Sequence, residues 1–346
     1  MAIRTTKHQS TAKCTLGLYT GMLISEPVSP TCTTLEHTVG ISHDSVTRFL
    51  EREHYEPKDL YDQAIQTLEP NGGILSIDDT VIDKAYSNHM HLVAHFWSGK
   101  HHKTVKGLNL ITLYYTDPQG NSLPINYRIY DHSDNKTKND YFLDMLDEVL
   151  KWGLHPVYVT GDSWYSPTKN LKTIRHHGLG FMFAIKSNRM VSVAKGTWQQ
   201  VQTLSEDSFS HELVWLKDFG FVRVFRTHLK DQVRHYVLFD SDDSHHSDDG
   251  SYVTKFGHLH DSHWTIEQFH RALKQLCSVE KFQVRRKRLI KNHVFASMLG
   301  FVYLSTMVKS MYQWQFRLFR PIVASVCHLV DAQWSHLKPK CQHSVA

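Results

Sequence analysis

The sequence predicts an α/β protein: a mixed, mostly buried sheet covered by helices on both faces, with a helical region before it and a β-rich block inserted into it. Three observations lead there. Between residues 74 and 185, short apolar runs without sharp alternation interleave with helical periodicity, the pattern of strands buried on both faces. Residues 219–239 instead alternate apolar and polar around Lys230-Asp231, as a half-exposed hairpin does. Residues 17–70 carry helical patterns broken at Pro27, Pro30 and Pro57.

Composition narrows the class. A chain of 346 residues has room for two or three domains, and 41% apolar content is enough for a real core. The formal charge of +5, with 26 histidines besides, favours an anionic partner and a pH-sensitive one. Five scattered cysteines at 14, 32, 277, 327 and 341, with no Cys-x-x-Cys pair, argue against a disulfide framework or a zinc knuckle and fit a reducing cytoplasm. No apolar run follows a charged start at the N-terminus, so no signal peptide is expected. The most apolar helical stretch, 294–308, is short and carries Ser297, Tyr303, Ser305 and Thr306; it reads as a buried helix, not a membrane span.

Residues 1–16 are polar and read as a loose arm. Within 33–50, a short helix, a turn at Gly40, an N-cap at Ser42 and a second helix form the layout of a helix-turn-helix. Leu35, Val39, Ile41, Val46 and Leu50 would make its core. His43, Asp44, Thr47 and Arg48 would face outward, where a recognition helix meets DNA. A plain helical hairpin has the same pattern. After Gly72-Gly73, strands are expected at 74–77, 91–97, 108–116 and 123–130, joined by a basic connection at 98–107. A helix at 140–152, capped by Asn139 and stopped by Gly153, precedes a strand at 157–160, a helix at 168–177 and a strand at 181–185. The polar run 240–250 reads as an exposed loop, and further helices follow over 288–335 behind Arg285-Arg286-Lys287-Arg288. The domain boundaries that follow are 1–70 (helical, helix-turn-helix-like), 71–187 and 261–300 (the two parts of the α/β domain), 188–260 (the β-rich insertion) and 301–346 (C-terminal helices).

The stretch from His260 to Lys274, written as a helix, puts His260, His263, Glu267, Arg271 and Lys274 on one face, with Trp264, Phe269, Leu273 and Leu276 mostly turned inward. A surface helix with a Glu–Arg pair would look the same. Two strand-end carboxylates give Glu267 a purpose: Asp78 or Asp79 after the first strand, and Asp162 after the strand at 157–160. Functional groups of open α/β sheets gather beyond the carboxyl ends of strands. Two aspartates and a glutamate make an oxygen-only site, which suits Mg²⁺ or Mn²⁺ and not zinc. Two such ions about 4 Å apart serve in-line displacement at a phosphodiester.

Here the residues resemble a family. Ile77-Asp78-Asp79-Thr80, Gly161-Asp162-Ser163-Trp164-Tyr165 and Glu267 separated by six residues from Lys274 resemble the motifs of the bacterial insertion-sequence DDE transposases. The likeness is to the cut-and-paste branch with a β-rich insertion between the second Asp and the Glu. That branch has Tyr-x2-Arg before the Glu; here His260 and His263 stand at those places. The resemblance covers roughly residues 74–300 and implies a ribonuclease-H-like catalytic domain. It further implies Asp78, Asp162 and Glu267 as ligands of two Mg²⁺ or Mn²⁺ ions, with Asp79 a rival to Asp78. Lys274, with Arg271, His260 and His263, would touch DNA phosphates, and His43, Thr47 and Arg48 would read DNA. The implied activity is cleavage at the element ends and joining of the freed 3′-OH to target DNA, by a homodimer on DNA in the cytoplasm at the nucleoid. A DNA hairpin intermediate is common in the branch, with a flipped base stacked on an aromatic residue of the insertion; Trp198 and Trp215 lie there, although core packing is the commoner role of tryptophan. A metal-dependent nuclease without strand transfer, or an inactive DNA-binding protein on the same scaffold, are the alternatives.

Overall fold

The structure is a computed structural model that describes residues 13–25, 30–99, 102–194, 196–204, 211–229, 232–241 and 249–307. Most of the N-terminal arm, the tip of the basic connection, the Lys230-Asp231 turn, most of the polar run after 240 and the helices expected beyond 307 lie outside the described residues. The chain divides into two compact units: Met1–Ala64, Val81–Asn109 and Phe269–Ala346 form one, Ile65–Thr80 and Leu110–Gln268 the other.

The first unit is built around helices. Four short ones, α1 (Leu16–Ser25), α2 (Cys32–Val39), α3 (His43–Arg52) and α4 (Pro57–Ala64), precede the sheet in sequence, and α8 (Lys287–Met307) follows it. The expected hairpin of helices is α2–α3, with Gly40 at φ 65° in the turn, a backbone conformation that a Cβ disfavours. Ser42 takes the N-cap position but its side chain makes no capping bond. Val46, Phe49 and Leu50 bury the inner face of α3, while His43, Asp44 and Arg48 are exposed. α1, α3 and α4 all pack on α8. Asn292 of α8 donates to the Leu50 and Glu53 carbonyls at 2.7 and 2.6 Å and accepts from the Tyr55 N–H at 3.2 Å, satisfying the open end of α3. His293 beside it is buried against the Tyr19 hydroxyl at 2.8 Å; burial, with Lys84 adding to it, pushes its pKa down to about 3, so the ring is neutral. The N-terminal helices are thus half of a core completed some 240 residues later, which pattern reading along the chain cannot show. Among the described residues no helix is long and apolar enough to cross a membrane.

The second unit holds most of the sheet, with residues 81–83 and 103–109 of two of its strands belonging to the first unit. Its strands are β1 (Ile74–Asp83), β3 (Lys103–Thr116), β4 (Ser122–Ile129), β5 (Tyr158–Gly161), β6 (Gly180–Ile185), β7 (Met190–Ala194), β8 (Thr197–Gln200), β9 (His211–Leu216), β10 (Gly220–Leu229) and β11 (Gln232–Phe239). β2 (Ala94–Ser98) pairs with the start of β3, in the first unit. The order β3-β1-β5-β6-β11-β10-β9-β7-β8, with β4 on β3, is mixed: β1, β5 and β6 run parallel, while β4 on β3 and the strands from β11 to β8 pair antiparallel. The β-rich block therefore extends the same sheet, because β11 pairs along β6 from Phe239↔Phe181 to His235↔Ile185.

Three local readings are corrected. β1 does not stop at Ile77 but runs on to Asp83, so Asp78 and Asp79 are mid-strand. The helix α5 (Lys138–Lys151) is capped by Thr137 rather than Asn139, in a reciprocal capping box with Asp140. The helix expected from His260 is the last part of α7 (Asp249–Leu276), which begins eleven residues earlier, within the span read as insertion. On α7, Phe269, Leu273 and Leu276 are buried as expected, but Trp264 is 45% exposed. Between α5 and α7, α6 (Thr168–His176) connects β5 to β6.

Candidate active site

Pairing of β1 with β5 ends at the register Ile77↔Gly161, so Asp78 and Asp162 are the next residues on adjacent parallel strands. Strand neighbours lie about 4.8 Å apart and alternate residues face opposite sides. Asp78 therefore shares a side with Ser76, and Asp162 with Thr160. The hydroxyls of Ser76 and Thr160 share a hydrogen bond of 2.8 Å, which fixes that pairing in the core. This side is covered by α7. Tyr252 and Leu259 of α7 join Ile74, Met182, Phe225, Tyr236 and Leu238 in one apolar cluster. Asp79, one residue on, faces the other side.

Gly161 explains how the strands reach the site at this spacing. A Cβ there would come within 2.4 Å of the Phe183 ring and 2.8 Å of Ile77 Cγ2, the residues paired with it on either side. Only glycine lets two large neighbours close over it.

The two sides treat their carboxylates differently. Asp79 accepts from Lys138 Nζ at 2.7 Å and from the buried Tyr165 hydroxyl at 2.8 Å. Lys138 comes from the first residue of α5, which the Thr137 cap holds in place. Asp162 instead accepts from the backbone N–H groups of Trp164 and Tyr165 at 2.9 and 3.4 Å, closing the turn after β5. Burial, followed by the charges of Asp78 and Asp79, raises its pKa to about 7. A half-buried carboxyl repelled by two others is an environment that a cation would relieve, and the donors are all hard oxygens. Among the described residues no three His, Cys, Asp or Glu side chains are gathered tightly enough to hold a metal ion as they stand.

Glu267 sits on α7 and is exposed. Two contacts orient this helix. Lys255 Nζ is 5.7 Å from the ring of Tyr158, at the start of β5, and His263 Nδ1 is 3.3 Å from Thr160 Oγ1, two residues along. α7 therefore advances in the same sense as β5, and Glu267 is one helical turn past His263 as Asp162 is two residues past Thr160. His260 is half-buried between the Tyr236 and Phe256 rings, with centroids at 5.5 and 5.8 Å. Both histidines are thus used in seating the helix, a role the sequence reading missed.

Lys274, Arg271 and the expected DNA contacts of α3 lie in the first unit, Trp198 and Trp215 in the second. Lys274 Nζ donates to the Val81 carbonyl at 2.5 Å and pairs with Glu280 at 3.4 Å. Arg271 is exposed. On α3, Arg48 is exposed, while His43 pairs with Glu36 at 3.0 Å and the half-buried Thr47 hydroxyl donates back to the His43 carbonyl at 3.2 Å. Trp198 and Trp215 do not pack into a core: each is 44% exposed, and Trp215 meets Phe221 edge-on at 4.9 Å on the outer strands.

A family model described as a transposase DDE domain matches residues 69–301. The chain belongs to the DDE transposase family. Among solved structures, it is similar to a piggyBac transposase in a synaptic complex with hairpin DNA. That match has a TM-score of 0.55 and 13% identity, over 95% of this chain and 72% of the other. A Drosophila P element transposase in a strand transfer complex also matches, at TM-score 0.28 and 13% identity, over 49% of this chain and 38% of that one. No curated protein matches. The mixed sheet of this transposase is thus the ribonuclease-H-like fold expected from its motifs. DDE transposases generally use divalent metal ions.

Proposed function

We propose that this transposase binds the ends of an insertion sequence, cleaves them and joins the freed 3′-OH to target DNA, using Asp78, Asp162 and Glu267 as its metal-binding carboxylates. The observation that carries this reading is the register Ile77↔Gly161, which leaves Asp78 and Asp162 as the next residues along, with the pKa of Asp162 raised to about 7 by burial and by Asp78 and Asp79. Asp79 is the poorer ligand, because its oxygens already accept from Lys138 and Tyr165. When bound, two Mg²⁺ or Mn²⁺ ions would supply an activated attacking oxygen and neutralise the leaving one.

The protein's own residues do the positioning. The direction of α7, set by Lys255 and His263, supports Glu267 as the carboxylate that advances toward the strand ends. Phosphate contacts are assigned to Arg271, which is exposed, with Lys274 serving first to tie α7 to the β1 backbone. Arg48 is the best-presented DNA contact of α3. Pairing two element ends calls for two copies of the chain, so a homodimer on DNA is expected.

Labelled element ends incubated with a supercoiled target and Mg²⁺ test the reading. Joined products from the native protein, lost in Glu267→Gln, are expected. Cleavage that survives Glu267→Gln unchanged would sink the active-site assignment, and cleavage without joined products would reduce the activity to that of a nuclease.

A further inference from the structure

A cavity of about 510 Å³ opens beside the Asp162 turn, wholly within the second unit. Trp164 forms one wall, and Lys186, Arg189 and Lys217 bring three cations against a single anion, Asp218. Neither the metal-binding carboxylates nor the expected stacking residues Trp198 and Trp215 belong to it. Its polar lining is aimed at an anion, and its volume suits a single nucleotide rather than a duplex.

Trp164 is the unusual part. Its ring is 55% exposed although the residue stands in a tight turn, with its N–H donating to Asp162. Lys138 Nζ, the same ammonium that neutralises Asp79, lies 5.2 Å from the ring centroid. The indole is thus electrostatically anchored while much of its surface remains open. Arg189 is half-buried and oriented by donating to the Thr168 hydroxyl at 2.6 Å, at the first turn of α6, whose N-terminus also faces the cavity through Pro167 and Thr168. A fixed guanidinium, two exposed lysines and a helix N-terminus make a phosphate seat.

We infer that this cavity takes one unpaired nucleotide of the DNA strand, with its base on Trp164 and its phosphate among Lys186, Arg189 and Lys217. The inference rests on the proposed DNA transposition and adds to it a place where a strand leaves the duplex within two residues of Asp162. An unpaired base can stack on an exposed ring in any sequence, whereas a paired one has its faces already covered.

Equilibrium binding of labelled DNA in EDTA, with no cleavage possible, provides the test. A flush duplex is compared with duplexes carrying a three-nucleotide 3′ or 5′ overhang, intact or abasic. The native protein should prefer one intact overhang by roughly tenfold, the size of a base–aromatic stack. Trp164→Ala should erase that preference and Trp164→Phe should retain it, and an abasic overhang should bind like the flush end. Lys186→Ala with Lys217→Ala should weaken binding to every duplex and lower the salt slope by about two. All three positions substituted are at the surface of the cavity, and a thermal melt confirms folding of each variant.

Preference that persists in Trp164→Ala, or with the abasic overhang, overturns the inference. So does competition by free dAMP without any overhang preference, which would make the cavity a mononucleotide site. If DNA binds and is joined to target but shows no overhang preference, only the cavity assignment falls. If no DNA binds at all, the proposed function falls with it.

Discussion

Asp78 and Asp79 are consecutive residues of one strand, yet they belong to two different chemical environments. On the side facing α5 and Tyr165, Asp79 is neutralised by an ammonium and a buried hydroxyl. On the side facing α7, Asp78 follows the last paired residue of β1 as Asp162 follows the last of β5, and burial and acidic neighbours raise the proton affinity of Asp162. The first arrangement holds a fold together. The second costs stability when ionised, a cost that a bound cation would relieve. Strand alternation alone separates them, which is why adjacent identical residues can have opposite roles.

Substitutions that remove a charge from each side break or sharpen that contrast. Asp162→Asn and Asp78→Asn should each lower cleavage by about a hundredfold or more, the scale of losing one fixed electrostatic group at a reacting centre. Neither should lower the thermal midpoint of the metal-free protein. Asp79→Asn should do the reverse: it strands Lys138 in a mostly buried position and costs about 3 kcal/mol in urea unfolding. If Asp79→Asn abolishes cleavage without loss of stability, the assignment of the two sides is inverted.

Gly161→Ala forces a methyl against Phe183 and Ile77 and should cost roughly 2 kcal/mol, with cleavage reduced because the Asp162 turn is displaced. Tyr165→Phe removes one hydrogen bond to a carboxylate and should cost about 1.5 kcal/mol, with the Asp79–Lys138 pair intact.

The pH dependence of stability without metal supplies a further test of the same contrast. The folded pKa of Asp162, about 7, lies above its ordinary value of 3.8, so between those limits the folded state binds more protons than the unfolded. Its contribution is then fully favourable below about pH 4 and is lost as pH rises to about 7. Urea midpoints measured across that window should show a falling component that Asp162→Asn removes and saturating Mg²⁺ flattens. A slope identical in the native protein and Asp162→Asn would contradict the raised pKa.

Much of this was legible in the residues. Gly161-Asp162 marked the end of β5 because the apolar run stops there, whereas the same cue at Ile77-Asp78 ended β1 too early, and the 260–276 helix was legible from its spacing. The choice between Asp78 and Asp79 was not legible, since it depends on which side of the sheet receives Lys138 and Tyr165. The inward face of α7 was read correctly at Phe269, Leu273 and Leu276 and wrongly at Trp264, because helical spacing orders residues around an axis without saying how wide the covered stripe is. His260 and His263 looked like substituted phosphate contacts; their rings and hydroxyl partners come from β11 and β5, which no local pattern names. The cavity beside Trp164 was invisible for the same reason: its walls come from segments between Asn139 and Asp218.

By itself, the sequence determined the class of elements, the order of the three acidic motifs and the oxygen-only chemistry they offer, because period, turn residues and ligand hardness are properties of local composition. Only the tertiary structure decided which aspartate faces α7, that the β-rich block continues the sheet, and that α8 completes the core of the N-terminal helices. Those depend on register and on partners distant in the chain, where a shift of one residue would exchange Asp78 for Asp79 on the face covered by α7.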